Sequence, residues 1–305
     1  MGPAERRRAD PPRRAELEAA LSIVAEVEHQ LAELREQEAA DGGLDLRTSV
    51  MTHVAWAPPK WADAARRTLA GLEERHPSRT ILLFPEPRGA DRVQVTVSMR
   101  CYVVQGVSQE VCSEVIELRL GGRRAQAPAS IVHPLLISDL PTFCRWRGEP
   151  PWGKPELEQL VGICDRLVVD SSEWPKVPAA YEQLVTLFDR VAVSDIAWGR
   201  AREWRGRLAA LWPGIARAER LSVTGPKADA LLLAGWLRSR LGSGSRRELE
   251  LALVRRSAKE LSRVAVDGVP VDVPRGSPPS PSDLLSAELD LFGRDPIYEA
   301  AVKAA

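Results

Sequence analysis

Apolar residues in this chain fall into short runs separated by longer stretches with helical spacing, a pattern that predicts strands joined by helices. The pattern is plainest between Ile131 and Trp174. There two apolar runs, Pro141 to Trp146 and Arg166 to Val169, flank a turn containing Gly148, Pro150, Pro151 and Gly153, and an amphipathic segment from Pro155 to Cys164. Strand, turn, helix, strand predicts a parallel pair with a right-handed crossover. A second unit of the same kind is expected upstream. Ser49 to Ala57 and Thr80 to Phe84 read as strands around a helix from Trp61 to Arg75, with Ala65, Leu69 and Leu72 on its apolar face and Pro58, Pro59 and Pro77 as breaks. Val93 to Val104 and Val111 to Leu120 alternate apolar and polar positions about QGVSQE, which predicts an antiparallel hairpin added to the parallel sheet. Gly121 and Gly122 end it, and a short helix is expected from Pro128 to Ile137.

Residues 1–12 are basic and contain prolines, and read as a disordered tail. A long helix is expected from Arg13 to Ala40, with Leu17, Ala20, Val24, Val27, Leu31 and Leu34 forming a narrow apolar stripe. The proline-bearing EWPKVP at Glu173 to Pro178 is expected to separate an N-terminal α/β domain, 13–172, from a smaller C-terminal α/β domain, 173–305. In the latter, helices are predicted at Ala179 to Val191 and Asp195 to Trp212. Strand, helix, strand follows at Ala218 to Thr224, Ala228 to Leu241 and Glu248 to Val254. Glu260 to Val266 and Val269 to Val273 form a hairpin about Asp267 and Gly268. RGSPPSPS reads as a flexible linker, Asp283 to Phe292 as a short amphipathic helix, and a weakly apolar tail follows Pro296. The expected fold is therefore α/β in two domains: a mixed, mostly parallel sheet with helices on both faces and a hairpin, then a smaller α/β unit.

Open α/β sheets bind ligands at the carboxyl ends of their strands, so the loop RGEPPWG draws attention. It lacks the glycine spacing that frees backbone N–H groups for a phosphate. It offers Trp146, Arg147, Glu149 and Trp152 on a proline-stiffened loop instead. Indole and guanidinium groups presented this way suit a protein contact, because they give large contact area for little lost entropy. The alternative for each Trp is a plug at the end of the sheet. In the helix from Asp195, the stripe Ala197, Ala201, Trp204, Leu208 and Leu211 is expected in the core, while Trp198, Arg202 and Arg205 line a neighbouring flank. That flank repeats the chemistry of the loop and is read as partner-facing, although an Arg laid over an indole would hold it internally. His76 and Arg79 in HPSRT are read as structural, with His76 closing a helix as a cation at its carbonyl end. Asp170, Ser171 and Ser172 follow a strand where an enzyme of this class would hold a ligand, and keep a sugar-phosphate or nucleotide-dependent enzyme as the rival reading.

Lys plus Arg equals Asp plus Glu at 42 each, so no global field favours nucleic acid or an acidic membrane surface. No apolar run approaches a membrane span, and MGPAERRRADPPRR has no hydrophobic leader core, which makes a cytoplasmic protein the expectation. None of Cys101, Cys112, Cys144 and Cys164 forms C-x-x-C, so buried thiols rather than zinc ligands are expected, although Cys101 and Cys112 sit on the two arms of one hairpin.

HPLLISDLPTFCRWRGEPPWG followed by DRLVVDSS resembles the bacterial glucose-6-phosphate dehydrogenase assembly protein family, OpcA. The likeness includes SVMTHVAWA and HPSRTILLF upstream and SDIAWGRAREWRGRLAALW and ALLLAGWLRSRLG downstream, spanning Thr48 to Gly242. The first 45 and last 60 residues carry no clear match. The resemblance implies a non-catalytic assembly and activating role with glucose-6-phosphate dehydrogenase as partner, and no cofactor or metal of its own. The dehydrogenase would bind NADP and the sugar phosphate.

Overall fold

The computed structural model describes residues 11–40, 45–46, 49–72, 75–103, 110–241, 249–255, 260–272 and 279–305. In chain order the first part runs α1 (Pro11–Ala40), β1 (Asp45–Leu46), β2 (Met51–Trp56), α2 (Ala62–Leu69), β3 (Ser78–Glu86), β4 (Val93–Val103), β5 (Glu110–Gly121), α3 (Ala129–Val132), β6 (Thr142–Trp146), α4 (Pro155–Val161), β7 (Arg166–Val169), α5 (Ala179–Val185) and β8 (Ala192–Asp195). There follow α6 (Ile196–Arg200), α7 (Arg202–Ala209), β9 (Arg220–Thr224), α8 (Lys227–Leu241), β10 (Glu250–Arg255), β11 (Arg263–Val266), β12 (Val269–Pro270), α9 (Pro281–Leu289) and α10 (Pro296–Lys303).

Two sheets result. The larger has the order β1-β5-β3-β2-β6-β7-β8, all parallel, with β4 antiparallel along β5. The smaller has the order β10-β9-β11-β12. Both faces of the large sheet are covered, which is why β2, β6 and β7 read as nearly unbroken apolar runs. Alternate residues of β3 divide between the faces: Ile81 and Leu83 enter a core with α1, α3, α4 and α5, while Leu82 and Phe84 enter a second core with α2 and α9. The α1 stripe packs on its own body, with Val27 and Leu31 fully buried against β4 and α3.

The sheet runs past the break expected at 173. β8 pairs in parallel with β7 from Arg166↔Ala192 to Val169↔Asp195, so α5 and β8 complete a third β-α-β crossover where a helix to Val191 and no strand were predicted. The predicted helix from Asp195 to Trp212 is two helices, α6 and α7, meeting at Ala201, and Leu211 beyond them is 42% exposed rather than in the core. The tail beyond Pro296 is a helix, α10, packed on α8 and α5. α8 is buried nearly all round. Ala228 and Leu232 face the first core while Ala230, Leu233, Ala234 and Leu237 face a third, with Leu221, Val223 and Val264 of the small sheet.

The β11–β12 turn has Asp267 and Gly268 at φ 49° and 83°, the left-handed pair that a two-residue hairpin requires. Cys101 and Cys112 lie directly opposite in the β4–β5 register and form a disulfide, correcting the expectation of four thiols; Cys144 and Cys164 are free. The disordered tail at 1–12 falls almost wholly outside the described residues, as do the hairpin loop and much of the linker at RGSPPSPS.

Candidate functional site

In the large sheet the chain leaves β2 for β3 on one side and later returns to β6 on the other. The carboxyl ends of β2 and β6 therefore flank the crevice where such sheets place ligands. That crevice is filled. Trp56 and Trp146, register partners at the ends of the two strands, stack at 4.9 Å with planes 17° apart. WAPPKW at 56–61 and WRGEPPW at 146–152 then form adjacent loops of related composition.

The second loop is clamped by charge. Arg145, 1% exposed, donates to Glu173 Oε1 at 2.8 Å, and Arg147 donates to the same oxygen at 2.9 Å and to Thr68 Oγ1 at 2.7 Å. Glu173 Oε2 accepts from the Gly148 N–H at 2.6 Å, and Trp174 Nε1 donates to the Gly148 carbonyl at 3.0 Å. Gly148 has φ 78°, and a Cβ there would meet Trp61 Nε1 at 3.2 Å, so both backbone sign and space call for glycine. Burial, then the neighbouring Arg145, lowers the pKa of the Arg147 guanidinium.

A second charged cluster lies under the ends of β7 and β8. Asp170 accepts from Ser172 N and Oγ, at 3.1 and 2.6 Å, and from Arg200 Nη2 at 3.1 Å. Arg200 also donates through Nε to Asp229 of α8 at 2.7 Å, binding the two sheets' units together. Ser171 N–H donates to Asp195 Oδ1 at 3.0 Å, and Ser171 Oγ shares a hydrogen bond with the Tyr181 hydroxyl at 3.1 Å. Burial favours the neutral acid at Asp170, but Arg200 and Arg145 outweigh it and hold its pKa low. Asp195, fully buried and beside Asp170, is pushed up to about 7. Asp229, raised mainly by burial against the pull of Arg200, lies at about 6. Asp170, Ser171 and Ser172, the residues of the rival enzyme reading, are thus engaged with their own neighbours.

The seven residues singled out for partner binding are not brought together. Trp146 is 1% exposed, a plug in the sheet end. Arg147 is tied to Glu173 and Thr68. Glu149 is partly buried, and its Oε2 has no hydrogen-bond partner among the described residues. Trp152 is partly buried, edge-on to Trp174 at 5.4 Å. Trp198 is buried and donates through Nε1 to Asp295 at 3.1 Å; Arg205 covers its ring, and Arg202 alone of that trio is exposed. The flank is held internally because α10 and its preceding Asp295 pack where solvent was expected.

His76 is also not a helix-end cation. α2 stops at Leu69, and His76 is buried with Nε2 at 2.8 Å from Ser286 Oγ of α9. Burial lowers its pKa. With His53, held neutral at a pKa of about 3 chiefly by burial, it lines a cavity of about 10 Å³. That is room for one water, not a sugar phosphate.

Sequence reasoning missed Trp56, Trp61, Arg145, Glu173, Arg200 and Asp229. An arginine inside the apolar strand TFCRW was the available signal, since a buried cation implies a buried acid. The repeated WxPPxW-like composition was another.

Residues 70–186 match the family model described as the glucose-6-phosphate dehydrogenase subunit N-terminal domain, and residues 191–302 match the model for its C-terminal domain. The second match reaches well into the last 60 residues, where no likeness was apparent. Two cyanobacterial relatives each carry the name "Putative OxPP cycle protein OpcA". That of Synechococcus elongatus is 25% identical over 222 residues, 67% of this chain and 50% of the relative. That of Nostoc punctiforme is 29% identical over 178 residues, 55% of this chain and 38% of the relative. The chain thus spans half or less of the length of the curated relatives it matches. Among the described residues, no helix is long and apolar enough to cross a membrane.

Proposed function

Because the chain belongs to the glucose-6-phosphate dehydrogenase assembly protein (OpcA) family, we propose that it is a non-catalytic, cytoplasmic assembly and activating protein for glucose-6-phosphate dehydrogenase in the oxidative pentose phosphate pathway. It binds the competent form of the enzyme better than its other forms, and shifts the enzyme by that difference in affinity and no more. The observation that carries this reading is the engagement of the strand-end crevice with itself. Arg145 and Arg147 pair with Glu173, Arg200 pairs with Asp170 and Asp229, and indoles occupy the switch point. A rigid body of this kind serves as a template for another protein's surface, because little conformational entropy is lost on contact.

The test is a titration. Dehydrogenase at fixed concentration is assayed with increasing amounts of this protein, and a saturable rise in activity is expected. An unchanged rate at large excess, or turnover of a sugar phosphate by this chain alone, overturns the proposal.

A further inference from the structure

Of the indoles predicted to meet a partner, Trp146 and Trp198 are buried and Trp152 is partly buried, yet another tryptophan stands well out from the fold. Trp212 is 67% exposed and its neighbour Leu211 42% exposed. Both lie in the turn after α7, and the backbone there is fixed. Leu211 N–H donates to the Leu208 carbonyl and Trp212 N–H to the Ala209 carbonyl, each at 3.1 Å, while Ile215 N–H returns to the Leu211 carbonyl at 3.1 Å. Leu208 and Ile215 anchor the turn in the third core. The indole is therefore displayed on a rigid base, so little ordering entropy opposes its burial by another molecule. Exposed aliphatics such as Val254 and Val269 stand singly along the small sheet, whereas Leu211 and Trp212 are consecutive and adjoin exposed Ala209, Ala210 and Pro213.

Charge narrows the occupant. From Arg202 to Arg220 the chain carries five arginines, Arg202, Arg205, Arg207, Arg217 and Arg220, against two acidic residues, Glu203 and Glu219, although the whole chain is neutral. Arg205 is committed to Trp198. Arg207 and Arg217 are exposed and make no ion pair among the described residues. An exposed indole in a stretch where arginines outnumber acids, flanked in the chain by two guanidinium groups without an ion pair among the described residues, is complementary to an acidic protein surface with an apolar recess.

We propose that Trp212, with Leu211, Arg207 and Arg217, is the surface by which this protein docks on the dehydrogenase, against an acidic patch that takes the indole. The assignment rests on the function proposed above and adds the contact surface. Trp212→Ala and the charge reversal Arg207→Glu/Arg217→Glu are each compared with the wild type by calorimetric titration against purified dehydrogenase. Each variant is expected to unfold at the wild-type temperature and to bind at least about ten-fold more weakly. Wild-type affinity is expected to fall with added salt, and the charge-reversed protein is expected to lose that dependence. If the wild type binds and both variants bind within two-fold of it, the surface is wrong and the proposed function stands. If the wild type does not bind the dehydrogenase at all, both fall. If Trp212→Ala instead turns a dimer into a monomer by light scattering while dehydrogenase binding is unchanged, the turn joins two copies of this chain and the docking proposal is overturned.

Discussion

Arg205 lies across Trp198, its guanidinium carbon 3.3 Å from the ring centroid, and its Nη1 donates to the Trp198 carbonyl at 2.5 Å. Both contacts span seven residues, across the junction of α6 and α7, so the cation that looked available to a partner is consumed. The guanidinium is buried enough that its pKa falls to about 10. Trp198 in turn packs on Tyr298 of α10, ring centres 5.7 Å apart. Trp198→Ala is therefore expected to cost about 3–5 kcal/mol of stability in urea unfolding, the usual range for an emptied aromatic core site. Exposed Arg202→Ala should stay within about 0.5 kcal/mol of wild type. A Trp198→Ala protein as stable as wild type would show that this packing is wrong.

Arg200 joins the two sheets' units through Asp170 and Asp229. Asp229 is 0% exposed, and removing it leaves a half-buried guanidinium short of one acceptor. Asp229→Ala is expected to lose about 3–5 kcal/mol. Asp229→Leu combined with Arg200→Met and Asp170→Asn should recover much of that loss, because all three charges are then removed together, whereas without Asp170→Asn the buried Asp170 carboxylate loses the guanidinium that holds its pKa low. Denaturant curves of the single and combined variants give the coupling directly.

Acid should stabilise this protein over the neutral range. Asp195 and Glu288 titrate near 7 and Asp229 near 6, each raised first by burial, against ordinary values of 3.8, 4.5 and 3.8. The folded form holds protons there that the unfolded chain has released. Their contribution is complete below about pH 4 and is lost as pH rises through 6 and 7. The melting temperature should thus climb as pH falls from 8 to 6. Asp195→Asn keeps an acceptor for the Ser171 and Ala197 N–H groups. It should flatten this climb and exceed wild type at pH 8 by up to ~2 kcal/mol. Asp170, whose pKa is lowered, acts in the opposite sense at much lower pH, and buried His53 and His76, whose pKa values are lowered from 6.5, oppose part of the climb between 8 and 6, two groups against three.

The cysteine pairing is open to a simple count. Unfolding without reductant should expose two titratable thiols, Cys144 and Cys164, and unfolding after reduction should expose four. Because the bridge closes a short loop, Cys101→Ser with Cys112→Ser is expected to lower stability by about 2–3 kcal/mol under oxidising conditions. Four thiols in the unreduced protein would contradict the bridge.

Much of the large sheet was legible because strands buried on both faces announce themselves. β7 was expected at the residues where it lies, Arg166–Val169, and β6 to within a residue. β8 was not, because Ala-Val-Ser-Asp is four residues long and half polar, and Asp195 reads equally well as the cap of the following helix, which it also is. α10 has a capping aspartate and a proline in its first turn but few large apolar residues, so its period is faint; it is held by the units it touches. The charged cluster was the least visible. Asp170, Arg200 and Asp229 belong to three elements that only the fold brings together, and spacing carries no trace of such a meeting. Trp198 was misread for a related reason, since its cover arrives with Asp295 from the far end of the chain.

The path of the last helices has a practical bearing. After β12 closes the small sheet, the chain crosses back so that α9 lies on α2 and α6, and α10 lies between α5 and α8. A protease that nicked the backbone between β12 and α9 would not yield two separable pieces. The fragments would co-migrate under native conditions and part only in denaturant, so limited digestion followed by gel filtration would understate how many sites had been cleaved.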